Sequence, residues 1–173
     1  MNVSLKISNS DLTREKLLAI SEFTEKTKAK IQNSDILLVP KMQVRDSSHR
    51  CFSAPTSDFY KLMKSDMSQY NIGLCENEGE EKTLTLHCIE IWIPDILVSI
   101  DPVKDVMLPA LVSFIVNYIS YKYFQSKDTD EPDVHLKIYV ENKKTKVTKS
   151  LEYNGKYSGL KALKINAKDI FKE

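Results

Sequence analysis

Residues 134–153 read VHLKIYVENKKTKVTKSLEY, and the pattern within them decides the fold class. Val134, Leu136, Ile138 and Val140 alternate with His135, Lys137, Tyr139 and Glu141, the period of two that places successive side chains on opposite faces of a strand. Asn142 to Thr145 supply turn residues, and the chain from Val147 to Tyr153 returns as a second strand, giving a hairpin. A two-residue loop at Lys143-Lys144 sets Leu136 opposite Leu151 and Val140 opposite Val147, so the apolar faces coincide. Asn154-Gly155 ends the strand, and Ser158 or Gly159 opens a last helix, near 159–170, carrying Leu160, Leu163, Ile165 and Ile170.

Upstream, an acidic linker from Asp128 to Asp133 precedes the hairpin, and before it lies the most apolar run of the chain. Leu111, Phe114, Ile115, Tyr118, Ile119 and Lys122 form one helical stripe, widened by Val112, Val116 and Tyr123 until little polar face remains. This predicts a buried central helix near 102–125, starting at Asp101-Pro102 and kinking or restarting at Pro109. The run from Leu108 to Ile119 is shorter than the roughly 20 residues that span a bilayer, so no membrane span is expected.

Further toward the N-terminus, Leu17, Ile20 and Phe23 predict an amphipathic helix over 11–31 with Ser10 or Asp11 as its cap. Strands are expected near 36–39, 72–75 and 83–90, and a helix near 57–70 in which Phe59, Leu62, Met63 and Met67 share a face. From Ile89 to Ile100 the chain is apolar around Trp92 and Pro94, and strand and helix remain open there. Glu76, Glu78, Glu80 and Glu81 read as a solvated turn. The sum is one α+β domain over 1–173: a mixed, mostly antiparallel sheet packed against about four helices.

A chain of 173 residues with 42% hydrophobic and 28% charged residues can build a core, which excludes wholesale disorder. Its net charge of +1 conceals a division at Val134. The last 40 residues hold ten lysines against four acids, +6, whereas the preceding 133 hold 15 basic and 20 acidic groups, −5. Three cysteines at irregular spacing, Cys51, Cys75 and Cys88, make a poor disulfide framework and fit a reducing compartment. With no apolar signal region near the start, a cytoplasmic location is expected.

Motifs with strong chemical content are missing from the sequence. None of the four glycines stands in a phosphate-cradling arrangement. His49, Cys51, Cys75, His87 and Cys88 are metal-ligand types without a CxxC or HxxxH spacing, so no metal or other cofactor is expected. Cys75 and Cys88 read as small buried hydrophobes. Cys51 beside His49, with Arg45 and Arg50 near to favour a thiolate, leaves a small Cys/His hydrolase open, as does His87.

The basic unit offers Lys143, Lys144, Lys146 and Lys149 on the hairpin and Lys161, Lys164 and Lys168 at helical spacing as contacts for a nucleic acid or another anion. Tyr139, Tyr153 and Tyr157 stand near enough in sequence to stack on bases. Against that reading, the unit has no arginine, which recognises phosphate and guanine bidentately. A lysine-rich tip also protects a hairpin from edge-to-edge aggregation.

The pairing of VSFIVNYISYKYF (112–124) with VHLKIYVENKKTKVTKSLEYNGKYSGLKAL (134–163) resembles a pattern in small bacterial accessory proteins of multi-gene islands, defence islands included. In it an apolar helix, a charged linker and a lysine-rich hairpin lead through Tyr153, Gly155, Gly159 and Leu160 into a final helix, over roughly the last 65 residues. A weaker echo lies in DILLVP (35–40). The resemblance implies an α+β fold and a genomic neighbourhood among accessory components, and brings no catalytic residues. Because the chain lacks every motif with strong mechanistic content while presenting an apolar central helix and a charge-segregated surface, the leading expectation is a non-catalytic interaction subunit of a bacterial complex, an antiviral defence system being one setting, with a protein partner or a second copy. Its candidate interface residues are Trp92, Tyr118, Tyr121, Tyr123 and Phe124, since aromatics are enriched at interface cores.

Overall fold

The structure is a computed structural model that describes residues 4–42, 50–84, 90–123 and 131–172. In chain order the elements are β1 (Ser4–Ser10), α1 (Arg14–Leu18), α2 (Glu25–Asn33), β2 (Ile36–Val39), β3 (Phe52–Ser53), α3 (Thr56–Asp66) and β4 (Ile72–Leu74). There follow β5 (Thr83–Leu84), β6 (Ile91–Trp92), β7 (Asp95–Ile100), α4 (Met107–Tyr123), β8 (Asp133–Asn142), β9 (Thr148–Lys156), α5 (Tyr157–Ala162) and α6 (Ala167–Ile170). The main sheet has the order β1-β9-β8-β7-β2-β4, with β6 also on β8, while β3 and β5 pair separately. Its longest ladders, β1–β9 and β8–β9, are antiparallel, as is β2–β7; β7–β8, β6–β8 and β2–β4 are parallel. The α+β class with a mixed, mostly antiparallel sheet is as expected.

The hairpin is present with its register moved by two residues: Leu136 faces Tyr153, Ile138 faces Leu151, and Val140 faces Lys149. Asn142 is the cause. Its backbone closes on Val147 at 2.9 Å, and its side-chain oxygen accepts the N–H of Lys144 at 2.9 Å and of Thr145 at 3.3 Å, so the loop has four residues and Lys146 takes a left-handed φ of 60°. A slip of two keeps side-chain parity, so the apolar faces still coincide. Only Val147 leaves the core; it is 47% exposed.

Helices cover both faces of the sheet. Ile36, Leu38, Ile96, Val98, Leu136, Ile138 and Val140 point into a core shared with α3, α4, α5 and α6, where Phe59, Met63, Leu111, Ile115, Ile119 and Leu160 are buried. Leu37, Val39 and Leu97 face the other way, against Leu17, Phe23 and Ile31 of the α1–α2 region. β7 is therefore buried along all six residues, which makes Asp95–Ile100 of the open segment a strand: covered on both faces, it has no clear alternation to read. β1, which the sequence reading left unassigned, pairs with β9 along its whole length.

Three helices depart from expectation. The span 11–31 is two helices, because Thr13 caps the first by accepting from Lys16 N–H and Thr24 caps a second by accepting from Thr27 N–H. The central helix starts at Met107, not at Asp101-Pro102. Asp105 accepts the N–H groups of Met107 and Leu108, and Pro109 falls in the first turn, where a missing N–H costs nothing. The last helix is split between α5 and α6, so six helices stand where about four were expected among the described residues. Between β2 and β4 the chain packs so closely that a side chain on Gly73 would collide with the Ser34 hydroxyl. No helix of the described residues is long and apolar enough to cross a membrane.

Candidate functional site

Two of the five candidate interface aromatics meet in one groove. Phe59 of α3 packs edge-on against Phe114 and Tyr118 of α4, with ring centroids 5.3 and 4.9 Å apart, which sets the spacing of the two helices. Above this contact Leu62, Asp66, Phe114, Asn117, Tyr118 and Tyr121 line a groove of about 270 Å³. Tyr118 is buried at its floor, and burial pushes its phenol above the ordinary range. Tyr121 is 61% exposed. Tyr123 is exposed one turn away, Trp92 lies on the opposite face of the sheet, and Phe124 is outside the described residues. Lys122 bridges to Asp58 at 2.8 Å and locks α4 to α3 beside the groove.

Lys161, Lys164 and Lys168 do not share the single helix that their spacing suggested. Lys143, Lys144 and Lys146 are exposed at the hairpin tip, and Lys144 is paired with Asp101 at 3.1 Å. Lys149 lies over the Phe171 ring. Lys161 is on α5, Lys164 in the connection and Lys168 on α6, so they share no helical face. Tyr153 is fully buried with its hydroxyl donating to Lys156 O at 2.5 Å, and Tyr139 packs toward the α1–α2 core. Neither ring is placed to stack on a base. The Tyr157 hydroxyl donates to Val116 O at 3.4 Å.

The Cys/His reading finds its cation already engaged. Arg50 donates to both oxygens of Glu76, at 2.8 and 3.0 Å, and lies over the Phe23 ring. Cys51 is half-buried, and its backbone bridges to Lys41. His49, His87 and Cys88 lie outside the described residues. Cys75 is buried, as read, and burial pushes its thiol up to about 12. The acidic turn is a correction. Glu76 and Asn77 are buried, because Glu76 meets Arg50 while Asn77 accepts from Thr24 N–H and the Thr27 hydroxyl and donates to Glu22 O. Glu78, Glu80 and Glu81 are exposed. Among the described residues no three His, Cys, Asp or Glu side chains converge as metal ligands.

A polar cavity of about 200 Å³ lies on the sheet face that carries α1 and α2, lined by Lys41, Trp92, Ile93, Asp95, His135, Leu136, Lys137, Glu152 and Asn154. A bulge builds it: β8 runs three residues from His135 to Ile138 where the paired strand runs four, from Trp92 to Ile96, through Pro94. Trp92 stacks on His135, rings 3.9 Å apart and 14° from parallel. His135 in turn is held by Asn154 at 2.6 Å and Glu90 at 3.1 Å. Across the strands, Lys137 pairs with Glu152 at 2.8 Å and Lys41 with Asp95 at 3.8 Å. Asp95 is buried, and that burial raises its pKa, opposed by Lys41 and Lys137.

Comparison with protein-family models, with curated proteins and with solved structures gave no match. The geometry therefore carries the functional reading.

Sequence reasoning missed this cavity because its residues come from four strands and read locally as the polar halves of alternating patterns. It also missed the Arg14 network, in which the guanidinium donates to Ser99 Oγ and Ile31 O, and Ser99 donates to Glu141. The one available signal was Glu141, an acid that ends an otherwise regular strand yet is 4% exposed.

Proposed function

We propose that this chain is a non-catalytic interaction subunit that holds a protein partner in the groove between α3 and α4. The observation that carries the reading is Tyr121, a large aromatic left 61% exposed at the groove whose floor is the buried Tyr118. Exposed tyrosine beside an apolar pocket is the composition of an interface anchor. The exposed Asp66 on the same groove favours a partner segment that places a basic residue next to its apolar anchor. The resemblance of the last third to bacterial accessory proteins supports a multi-protein complex as the setting, an antiviral defence system among the candidates.

A photo-crosslinking residue in place of Tyr121, with one in place of the equally exposed Val103 as control, tests this in cells that express the native chain. A discrete adduct from position 121 that position 103 does not give is expected, and its mass tells a foreign partner from a second copy. Identical patterns from both positions would defeat the proposal.

A second reading, nucleic-acid binding, is favoured by one observation: Lys143 and Lys146 are exposed at the hairpin tip, with no ion pair to either among the described residues. Such binding would weaken steeply with salt as counterions compete for the phosphates.

A further inference from the structure

The cavity beside the bulge is lined by one buried polar group that nothing in the described chain satisfies and by a buried carboxylate that is only loosely paired. The indole N–H of Trp92 is buried without a hydrogen-bond partner. Asp95, 9% exposed, has Lys41 as its nearest cation, at 3.8 Å and so beyond hydrogen-bond distance, with Lys137 and Glu152 also near enough to act on its charge, and its carboxylate accepts no hydrogen bond among the described residues. The adjacent Lys137–Glu152 pair closes to 2.8 Å, so the wider gap at Asp95 is particular to that position. A buried donor left open costs free energy until a partner arrives, and a buried carboxylate whose cation stands beyond hydrogen-bond distance has acceptor capacity to spare.

The charges around them select the partner. Lys41 and Lys137 are matched by Asp95 and Glu152, so an anion such as a phosphate would meet two carboxylates and a simple amine two ammonium groups. A neutral molecule bearing both signs meets neither. The cavity, about 200 Å³, admits a molecule of a few heavy atoms and is too small for a nucleotide. His135 stacks on the indole and Lys41 lies over its ring at 4.9 Å from the ring centre, so recognition falls to its N–H and not to stacking.

We propose that this cavity binds a free α-amino acid, its ammonium group taken by the Asp95 carboxylate and its carboxylate by the Trp92 indole N–H and Lys41. The His135 ring, held between Glu90 and Asn154, fixes the indole in place. The site lies on the opposite face of the sheet from the α3–α4 groove, so it stands or falls independently of the proposed partner.

Trp92 is the chain's single tryptophan, which makes its fluorescence a reporter of this cavity alone. The purified full chain is titrated with each proteinogenic L-amino acid except tryptophan and tyrosine, and with ethylamine and propionate as single-charge controls. A saturable change is expected from at least one amino acid and from neither control. Asp95→Asn, which keeps shape and removes charge, should weaken the response about tenfold or more. Lys41→Gln, at a partly exposed position, should weaken it too and decides the matter should the first variant misfold by circular dichroism. No saturable change up to ~10 mM, an equal response to ethylamine or propionate, or an unshifted midpoint in a folded variant would overturn the proposal.

Discussion

Glu141 on β8 accepts the backbone N–H of Arg14 at 3.0 Å, while its other oxygen takes the Ser99 hydroxyl, at 3.1 Å, to which the Arg14 guanidinium itself donates. One closed circuit thus fastens the first turn of α1 to two adjacent strands. Burial lowers the Arg14 pKa and Glu141 opposes that effect, but the guanidinium reaches Glu141 only through Ser99, so the circuit is held by its satisfied hydrogen bonds. Glu141→Ala should therefore cost about 1–3 kcal/mol in chemical denaturation, because it leaves the Arg14 N–H and the buried Ser99 hydroxyl without their acceptor. The double variant with Arg14→Ala should cost less than the sum of the two single losses.

A similar circuit holds the acidic turn. Arg50→Ala leaves Glu76, 4% exposed at its side chain, without its bidentate partner, and a loss of about 3 kcal/mol is expected. Because Asn77 follows Glu76 directly and accepts the Thr24 N–H at the start of α2, hydrogen exchange should quicken at Thr24 and Asn77 before it does in β8. Unchanged protection at those amides would mean that the turn is held by other contacts.

Tyr118 and Tyr121 separate packing from recognition. They are one helical turn apart, yet one is 4% and the other 61% exposed. Tyr118→Ala should destabilise the chain by about 3 kcal/mol, in line with large-to-small changes in cores. Tyr121→Ala should move the midpoint by about 0.5 kcal/mol or less while removing partner capture. Parallel loss of stability in both variants would make Tyr121 a packing residue and remove it from the interface.

The hairpin tip carries a residue in a costly conformation. Lys146 has φ at 60°, where a Cβ is strained and glycine is not. Lys146→Gly should stabilise the chain by about 0.5–1 kcal/mol once the extra freedom of the unfolded state is counted. If the tip binds nucleic acid, the same change should also weaken binding and lower its salt dependence, whereas stabilisation alone would leave Lys146 a turn residue.

What could be read in the sequence was whatever repeats locally. β8 alternates strictly and was legible to its ends, and the apolar stripe of α4 gave a buried helix, although Asp105 and not Asp101 caps it. β7 was not legible, because a strand covered on both faces loses the alternation that marks one. β1 escaped for a different reason: as an edge strand with Leu5 and Ile7 each 42% exposed, it has no run of core residues. Trp92 reads in the sequence as an aromatic suited to a protein interface. Only the pairing of β6 with β8 brings it to His135, and that pairing has no local signature.

Asp95 gives the pH dependence that a buried acid should. Its folded pKa lies above the ordinary 3.8 because burial penalises the charge more than Lys41 and Lys137 relieve it. In the window between the unfolded and the folded value, the folded chain holds the proton more tightly. Stability is therefore lost as pH rises through that window, and the loss persists at neutral pH. Asp95→Asn removes the charge without changing the shape. The variant should melt higher than the parent at about pH 7, and the difference should shrink on acidification and vanish near pH 3, where the parent's carboxyl is neutral in both states. Thermal melts of the two proteins across this range check it. A variant less stable at neutral pH would mean that the 3.8 Å contact with Lys41 compensates for burial, leaving the carboxylate no need of a ligand. A variant that gains stability while losing the Trp92 response would identify Asp95 as a residue that destabilises the empty chain in order to bind.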